Sequence, residues 1–341
     1  MKLVNLANKA HTIYLFQREN RKKFYTIDNN FLPYYYETSD NGTLKGIYGN
    51  KTFRQVFVSE PNIIKKQKSK NSWESDILYR NRYFIDKINS IEKTEFKYSF
   101  LDIEVKAKDF PKPGEAKYPV SCVTVYNSFD KNKINFFLPN YKNEKELLLN
   151  LALYLKREDF DLIVGWNINF DWEYLCNRWN EYFRSYFSSF ISPINSVYFQ
   201  NKLFVPSGVS ILDYMEMYKK IFPHGRKSYK LDYILEYEFG TGKKHPIEDF
   251  SIVNEDLKLH NIEDIEDLAK IEQKHHLLDF YDDIRRFVRC DWGNTLYNSR
   301  MMDIMLLRQA KEDRIVLPNR GKEIKETFKG AYRTSNPGYY K

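Results

Sequence analysis

Between residues 98 and 166 the chain carries four short apolar runs, Tyr98–Val105, Val120–Tyr126, Ile134–Leu138 and Leu162–Trp166, and Glu144–Leu155 reads as a helix between the last two. Runs of this length, rich in β-branched and aromatic residues, form strands. Their succession with an intervening helix predicts an α/β sheet covered by helices. Downstream, Tyr214–Ile221, Lys230–Phe239, Asp256–Leu277 and Leu296–Lys311 read mainly as helices. Sites in such folds are built at strand ends, so chemistry is expected where these strands end against the helices.

Residues 1–95 follow a different pattern. Thr12–Phe16, Lys23–Ile27, Leu32–Glu37 and Gln55–Val58 read as strands, parted by the turn signals Asp28-Asn29-Asn30 and Asp40-Asn41-Gly42. The basic run Lys65-Lys66-Gln67-Lys68-Ser69-Lys70 follows Pro61 and is either a solvated face or a phosphate contact. Trp73–Ile88 then reads as one helix, with Ile77, Leu78, Phe84 and Ile85 toward a core. The expected division is a β-rich N-terminal domain over 1–95, regaining part of the chain from 315 onward, an α/β domain over 96–315, and an irregular tail over 316–341.

Composition narrows the function classes. Hydrophobic residues at 42% with only 13 Gly and 12 Pro describe a globular chain. No apolar stretch reaches the roughly 18 residues of a membrane span, and Met1–Ala10 lacks the apolar core of a signal peptide, so a cytoplasmic protein is expected. Cys122, Cys176 and Cys290 are scattered and odd in number, which argues for buried thiols and against disulfides or a cysteine zinc site. The net charge of +8 attracts phosphate backbones, and 27 Tyr with 25 Phe supply stacking surfaces for bases. An AT-rich coding sequence produces the same Tyr, Phe, Lys and Asn excess, so composition does not decide between these readings.

The carboxylates are more specific. Asp102 and Glu104 lie two apart in a predicted strand and therefore share one face, an arrangement that is costly when buried unless cations or donors meet it. Asp171 follows the apolar run at a strand-to-helix turn, where a helix cap is the plain alternative. Asp213 ends the run 209–213 and has the same alternative. Asp264 lies among Glu263, Glu266 and Asp267, which together also describe the wet face of a helix. Oxygen donors from several separate segments are what hard divalent ions such as Mg²⁺ and Mn²⁺ need, and two such ions can hydrolyse a phosphodiester. The order Asp-x-Glu, Asn-x-x-Phe-Asp, and an acid near a helix end with His260 four residues before it supplies that set.

The ordered segments resemble family B DNA polymerases, in particular their T-even bacteriophage branch. Tyr98–Val105 is similar to the first exonuclease motif of that family, Gly165–Asp171 continuing into Trp172-Glu173-Tyr174-Leu175 to the second, and Leu259–Leu268 to the third. Ser210–Lys220, Ser228–Ile234, Phe31–Tyr36 and Trp73–Tyr83 also resemble the phage branch, and the stretch 329–341 resembles its approach to the palm. The resemblance implies a ribonuclease H-like α/β exonuclease domain preceded by a β-rich N-terminal domain. It implies a 3′→5′ proofreading exonuclease in which Asp102, Glu104, Asp171 and Asp264 hold two Mg²⁺ ions, with Mn²⁺ able to substitute. Asn167 and Phe170 would bind the frayed 3′ end, with Asp213 as a further substrate-side residue. Ser196–Val209 would correspond to the strand-separating hairpin of the family, in a short form.

Implied partners are single-stranded or frayed primer-template DNA and a palm, fingers and thumb fragment, with no membrane. The implied location is the cytoplasm, of a bacterial host if the gene is viral. The polymerase motifs lie outside these residues, so no polymerisation is expected from this chain, as a truncated product or as one half of a split gene. Two departures stand out. The second motif is one residue shorter than is usual in the phage branch, and His260 stands where the third motif carries tyrosine. His260 either orients or deprotonates water, or is a solvated histidine in a weakened site. The latter case leaves a non-catalytic DNA-binding or assembly module of a split polymerase as the alternative function.

Overall fold

The computed structural model describes residues 1–47, 49–66 and 71–321. Residues 67–70 of the basic run and the stretch 329–341 lie outside the described residues.

Strands β1 (Leu3–Lys9), β2 (Thr12–Glu19) and β3 (Lys22–Asp28) form an antiparallel sheet. The sequence pattern missed β1 because both of its faces are covered, which erases the polar alternation of a half-exposed strand. Val4 and Ala7 pack with Phe16 on one side, toward Phe96 and Ile194. Leu3 and Leu6 join Ile13, Leu15, Phe31 and Phe84 on the other.

A second sheet takes β4 (Tyr34–Thr38), β5 (Leu44–Gly46) and β6 (Thr52–Phe57), followed by α1 (Pro61–Lys66), β7 (Ser72–Trp73) and α2 (Tyr79–Lys87). The single helix expected over 73–88 is therefore shorter. Trp73 pairs with Tyr36 in β4 and packs its ring edge-on against Phe53 at 4.7 Å. Glu74, at φ 52°, turns the chain away from helical geometry before α2 begins.

The central sheet comprises β8 (Tyr98–Val105), β9 (Val120–Asn127), β10 (Asn132–Phe137), β11 (Leu162–Gly165) and, later in the chain, Ser210–Asp213. The intervening elements are α3 (Glu144–Glu158), α4 (Ile168–Phe183), α5 (Phe187–Ile191), β12 (Val197–Gln200) and β13 (Leu203–Pro206), which make Ser210–Asp213 β14. Its order is β10-β9-β8-β11-β14, with β8 antiparallel to β9 and parallel to β11. Leu101, Ile103 and Val105 of β8 face a core shared with Leu147, Leu151, Trp172 and Leu175 of α3 and α4. Phe100 faces the opposite core, so the period of two sends Asp102 and Glu104 to the opposite side from α3 and α4.

That second side is covered by α6 (Tyr214–Ile221), α7 (Leu231–Phe239), α8 (Glu255–His275), α9 (Leu277–Val288) and α10 (Trp292–Thr295). The sequence reading ran α8 to Leu277 and did not separate α9. His276, at φ 51°, ends α8 and begins α9. Helix α11 (Asn298–Glu312) leads to β15 (Ile315–Val316), which pairs in parallel with β5 and buries Val316 in the N-terminal core. The chain thus returns to the second sheet at 315–316, where the N-terminal unit was expected to regain it. No helix among the described residues is long and apolar enough to cross a membrane.

Candidate active site

The site is built where β8, α4 and α8 meet, in a cavity of about 800 Å³. Asp102, Glu104, Asn167, Phe170, Asp171, His260 and Asp264 all line it. Strand geometry places the two acids of β8. Asp171 comes from the first turn of α4, and the close approach of that turn to β8 requires Gly165, where a Cβ would lie 2.6 Å from the Leu101 carbonyl. Asp171 is therefore not a helix cap. Asn167 takes that position in the left-handed region, at φ 65°.

Helix α8 starts at Asn254, whose side chain accepts from Leu257 N at 3.0 Å. The i, i+4 spacing then presents His260 and Asp264 together to the cavity. Asp264 lies in the middle of a helix of 21 residues, not near its end as the motif order suggested. Of the acids around it, Glu266 stays on the wet face with its side chain 42% exposed, but the other two do not. Glu263 is buried and accepts the backbone amides of Lys244 and His245 at 2.8 and 3.0 Å, and Asp267 is buried too.

His260 is 5% exposed, which rules out the solvated histidine of the sequence reading. Its Nδ1 lies 2.6 Å from the His245 carbonyl oxygen, an acceptor only, so that nitrogen carries the proton. Nε2 consequently faces the acids, 3.9 Å from Glu104 Oε1 and 3.8 Å from Asp264 Oδ2. Donor atoms of Glu104, His260 and Asp264 all lie within 4.8 Å of one another, a spacing one metal ion can bridge. This compact set differs from the four-acid expectation by including the imidazole. Asp102 and Asp171 line the same cavity.

Lys243 is the residue that sequence reasoning missed. Its Nζ lies 2.7 Å from Asp264 Oδ1, 3.1 Å from Asp232 Oδ1 and 3.2 Å from His260 Nε2. A lysine in a Gly-Thr-Gly-Lys-Lys turn carries no sequence signal for this placement; only the packing of the loop before α8 reveals it. Phe110 was likewise unmarked, and its largely exposed ring meets Phe170 at 5.0 Å on the cavity rim.

Burial holds the carboxyl groups of Asp102, Glu104 and Asp171 well above the usual carboxylate range, and mutual repulsion adds to it: Asp264 acts on Asp102, Asp102 and Asp264 on Glu104, and Asp102 on Asp171. Asp264 is raised by burial as well, against the opposing pull of Lys243 and His260. Burial works against the Lys243 ammonium, but Asp264 and Asp232 outweigh it and raise its pKa.

Asp213 stands apart. It does not line this cavity but a smaller crevice, where its carboxylate caps α6 through Glu216 N and accepts Asn167 N and Asn169 Nδ2 at 3.2 Å each. It ties the Asn167 turn to the sheet, and burial pushes its carboxyl up to about 6. Among the thiols, Cys122 and Cys290 are buried and Cys176 is half-buried. Within 196–209 the chain forms a hairpin of β12 and β13, two strands of four residues joined by Asn201 and Lys202, both at positive φ. Its turn is held down by Arg300, which donates to Asn201 at 3.1 Å.

Residues 25–234 match the family model for the exonuclease domain of DNA polymerase family B. The chain is 25% identical over 302 aligned positions to the DNA-directed DNA polymerase of Escherichia phage RB69, covering 73% of this chain and 33% of that protein. It is 23% identical over 345 aligned positions to the DNA-directed DNA polymerase of Enterobacteria phage T4, covering 84% of this chain and 38% of that one. It thus spans about a third of the length of these relatives. The fold matches the family B DNA polymerase of the hyperthermophilic archaeon Pyrobaculum calidifontis with a TM-score of 0.78 at 19% identity, over 97% of this chain and 53% of that one. The carboxylate cleft on an α/β sheet and the family match over most of that sheet agree, and the chain belongs to the family B DNA polymerases through its exonuclease domain.

Proposed function

We propose that this cleft removes 3′-terminal nucleotides from single-stranded or frayed DNA by metal-assisted hydrolysis, as the 3′→5′ proofreading part of a replicative polymerase. One observation carries the reading: four acids from three separate segments, Asp102 with Glu104, Asp171, and Asp264, converge with His260 on one cavity although burial and repulsion penalise their charge. Such crowding costs stability without a cation, so it is retained for binding one.

The residues suit hard divalent ions. Asp102, Glu104, Asp171 and Asp264 would hold the Mg²⁺ or Mn²⁺ ions through their carboxylate oxygens, with His260 Nε2 outside the ligand set. Ions bound there supply Lewis-acid stabilisation of phosphodiester oxygens and lower the pKa of water. The protein's own groups do the rest. His260, its Nδ1 proton committed to His245, presents an Nε2 lone pair that accepts a proton from attacking water. Phe110 and Phe170 form an aromatic rim on which the terminal base stacks, with Asn167 beside them. Lys243, which lines the same cavity, would offer its ammonium to a phosphate there. Asp213 acts through the Asn167 turn without touching substrate.

Partners in this reading are frayed primer-template DNA and the polymerising part of the enzyme. The contact of the Lys243 ammonium with Asp264 and His260 favours a second reading, a DNA-binding module whose lysine replaces the metal. Digestion of a 3′-labelled single strand with Mg²⁺ or Mn²⁺ separates the two. The first requires stepwise loss of 3′ nucleotides that Asp102→Ala abolishes; the second requires DNA binding with no metal-dependent cleavage.

A further inference from the structure

Behind Asp102 lies a row of polar side chains that the reaction itself does not use. Thr124 of β9 is directly opposite Asp102 of β8, and Asn135 of β10 is directly opposite Thr124. Asn261 of α8, fully buried, closes over this row. Its Nδ2 donates to Asp102 Oδ2 at 2.6 Å, and its Oδ1 accepts from Thr124 Oγ1 at 2.5 Å. Thr124 Oγ1 in turn accepts from Asn135 Nδ2 at 2.7 Å.

The direction of this chain is fixed by counting protons. A threonine hydroxyl has one hydrogen. With the Asn135 amide donating to its oxygen, Thr124 turns that hydrogen toward Asn261 Oδ1. The NH₂ group of Asn261 must then face Asp102. With Asp102 ionised, as a metal ligand must be, the flipped amide would set two acceptor oxygens 2.6 Å apart, so that state requires the NH₂ group toward Asp102.

We propose that Asn261, oriented by Thr124, is a positioning residue that presets Asp102 for the metal, an inference that rests on the metal-assisted reading above. Holding Oδ2 with a neutral donor fixes the carboxylate and leaves Oδ1 for the cavity. A cation such as lysine in that place would fix the acid equally well but compete with the incoming ion; an amide fixes it without adding charge. Groups behind a ligand that orient it in this way alter metal affinity by about tenfold to a hundredfold when removed.

The test is Mn²⁺ binding to the full chain by calorimetry without DNA, alongside nuclease kinetics. Thr124→Val keeps the shape of a buried strand residue and removes the hydroxyl that orients the amide. Asn261→Asp keeps shape but sets a carboxylate against Asp102. Both weaken Mn²⁺ binding by about tenfold or more and lower kcat with the KM for DNA unchanged, whereas Thr124→Ser, which keeps the hydroxyl, recovers most of the affinity. Circular dichroism melts confirm that each variant is folded. A folded Thr124→Val protein binding Mn²⁺ as tightly as the parent, while Asp102→Asn weakens it, overturns this inference alone. A parent chain that binds no Mn²⁺ overturns the metal reading and this inference with it.

Discussion

Two groups of buried acids in this molecule are treated in opposite ways. Where the N-terminal sheet meets the α/β domain, Asp161 is fully buried, yet Arg18 meets it twice at 2.6 and 3.1 Å, Lys23 lies at 3.3 Å, and Lys97 N donates at 2.8 Å. Glu144 is likewise met by Arg178 and by Val120 N. In the cleft, Asp102, Glu104, Asp171 and Asp264 gather around Lys243 and a histidine, and burial raises the pKa of each acid. Asp161 and Glu144 are buried with their counter-charge, whereas the cleft acids are buried in excess of theirs, which agrees with the proposed metal role. The contrast marks the cleft as functional without reference to motif.

The largest effect tests this division directly. Replacing both Asp102 and Glu104 by Ala lowers nuclease activity on the order of a thousandfold or more, while the metal-free protein becomes more stable. The sign follows from the raised pKa values. An acid whose folded pKa exceeds its unfolded value favours the folded state while protonated and loses that contribution as pH rises through the folded pKa, so the gain appears at alkaline pH and fades in acid. Thermal melts in EDTA across pH check it, and a double variant less stable than its parent at pH 8 would break the comparison.

Asp161→Ala should do the reverse. It leaves Arg18 buried without its carboxylate, although Lys23 keeps Asp159 at 3.2 Å, and costs about 3–5 kcal/mol. Urea unfolding measures this, and a loss below about 1 kcal/mol would place Asp161 with the expendable surface pairs.

Glu272 of α8 sharpens the rule, being a buried acid with hydrogen bonds but no counter-charge. It accepts Tyr214 OH at 2.8 Å and Leu278 N at 3.3 Å, and burial pushes it up to about 7. Between its ordinary value near 4.5 and about 7, the parent loses stability as pH rises. Glu272→Gln removes that loss, gaining on the order of 3 kcal/mol at pH 8 and nothing below pH 4. Equal stabilisation at both pH values refutes the assignment.

The smallest effect belongs to His260. His260→Ala lowers activity by about a hundredfold, and His260→Tyr retains more activity than alanine because its hydroxyl can also reach the water. Single-turnover rates decide it, and an alanine variant as fast as the parent removes His260 from the chemistry.

The α/β sheet was legible because Tyr98–Val105, Val120–Tyr126 and Leu162–Trp166 are apolar at strand length, and all three are strands. Strand β1 escaped detection because burial on both faces removes alternation, and the helix over 73–88 was overdrawn because Trp73 is taken by a sheet contact far away in sequence. The acids could be nominated from strand period and motif order, since those are local properties of the chain. Their crowding could not, nor could Lys243 or Phe110, which have ordinary sequence surroundings, nor the contact of Asn261 with Asp102.

By itself the sequence determined which side chains share a face of β8 and of α8, because backbone geometry fixes periods of two and of about 3.6 residues. Only the tertiary structure decided that the two faces meet, that the loop before α8 delivers Lys243 to Asp264, and that His260 is buried with its Nδ1 proton held by His245. Those outcomes depend on distances between segments more than a hundred residues apart or on loop packing, and no local rule of the chain contains either.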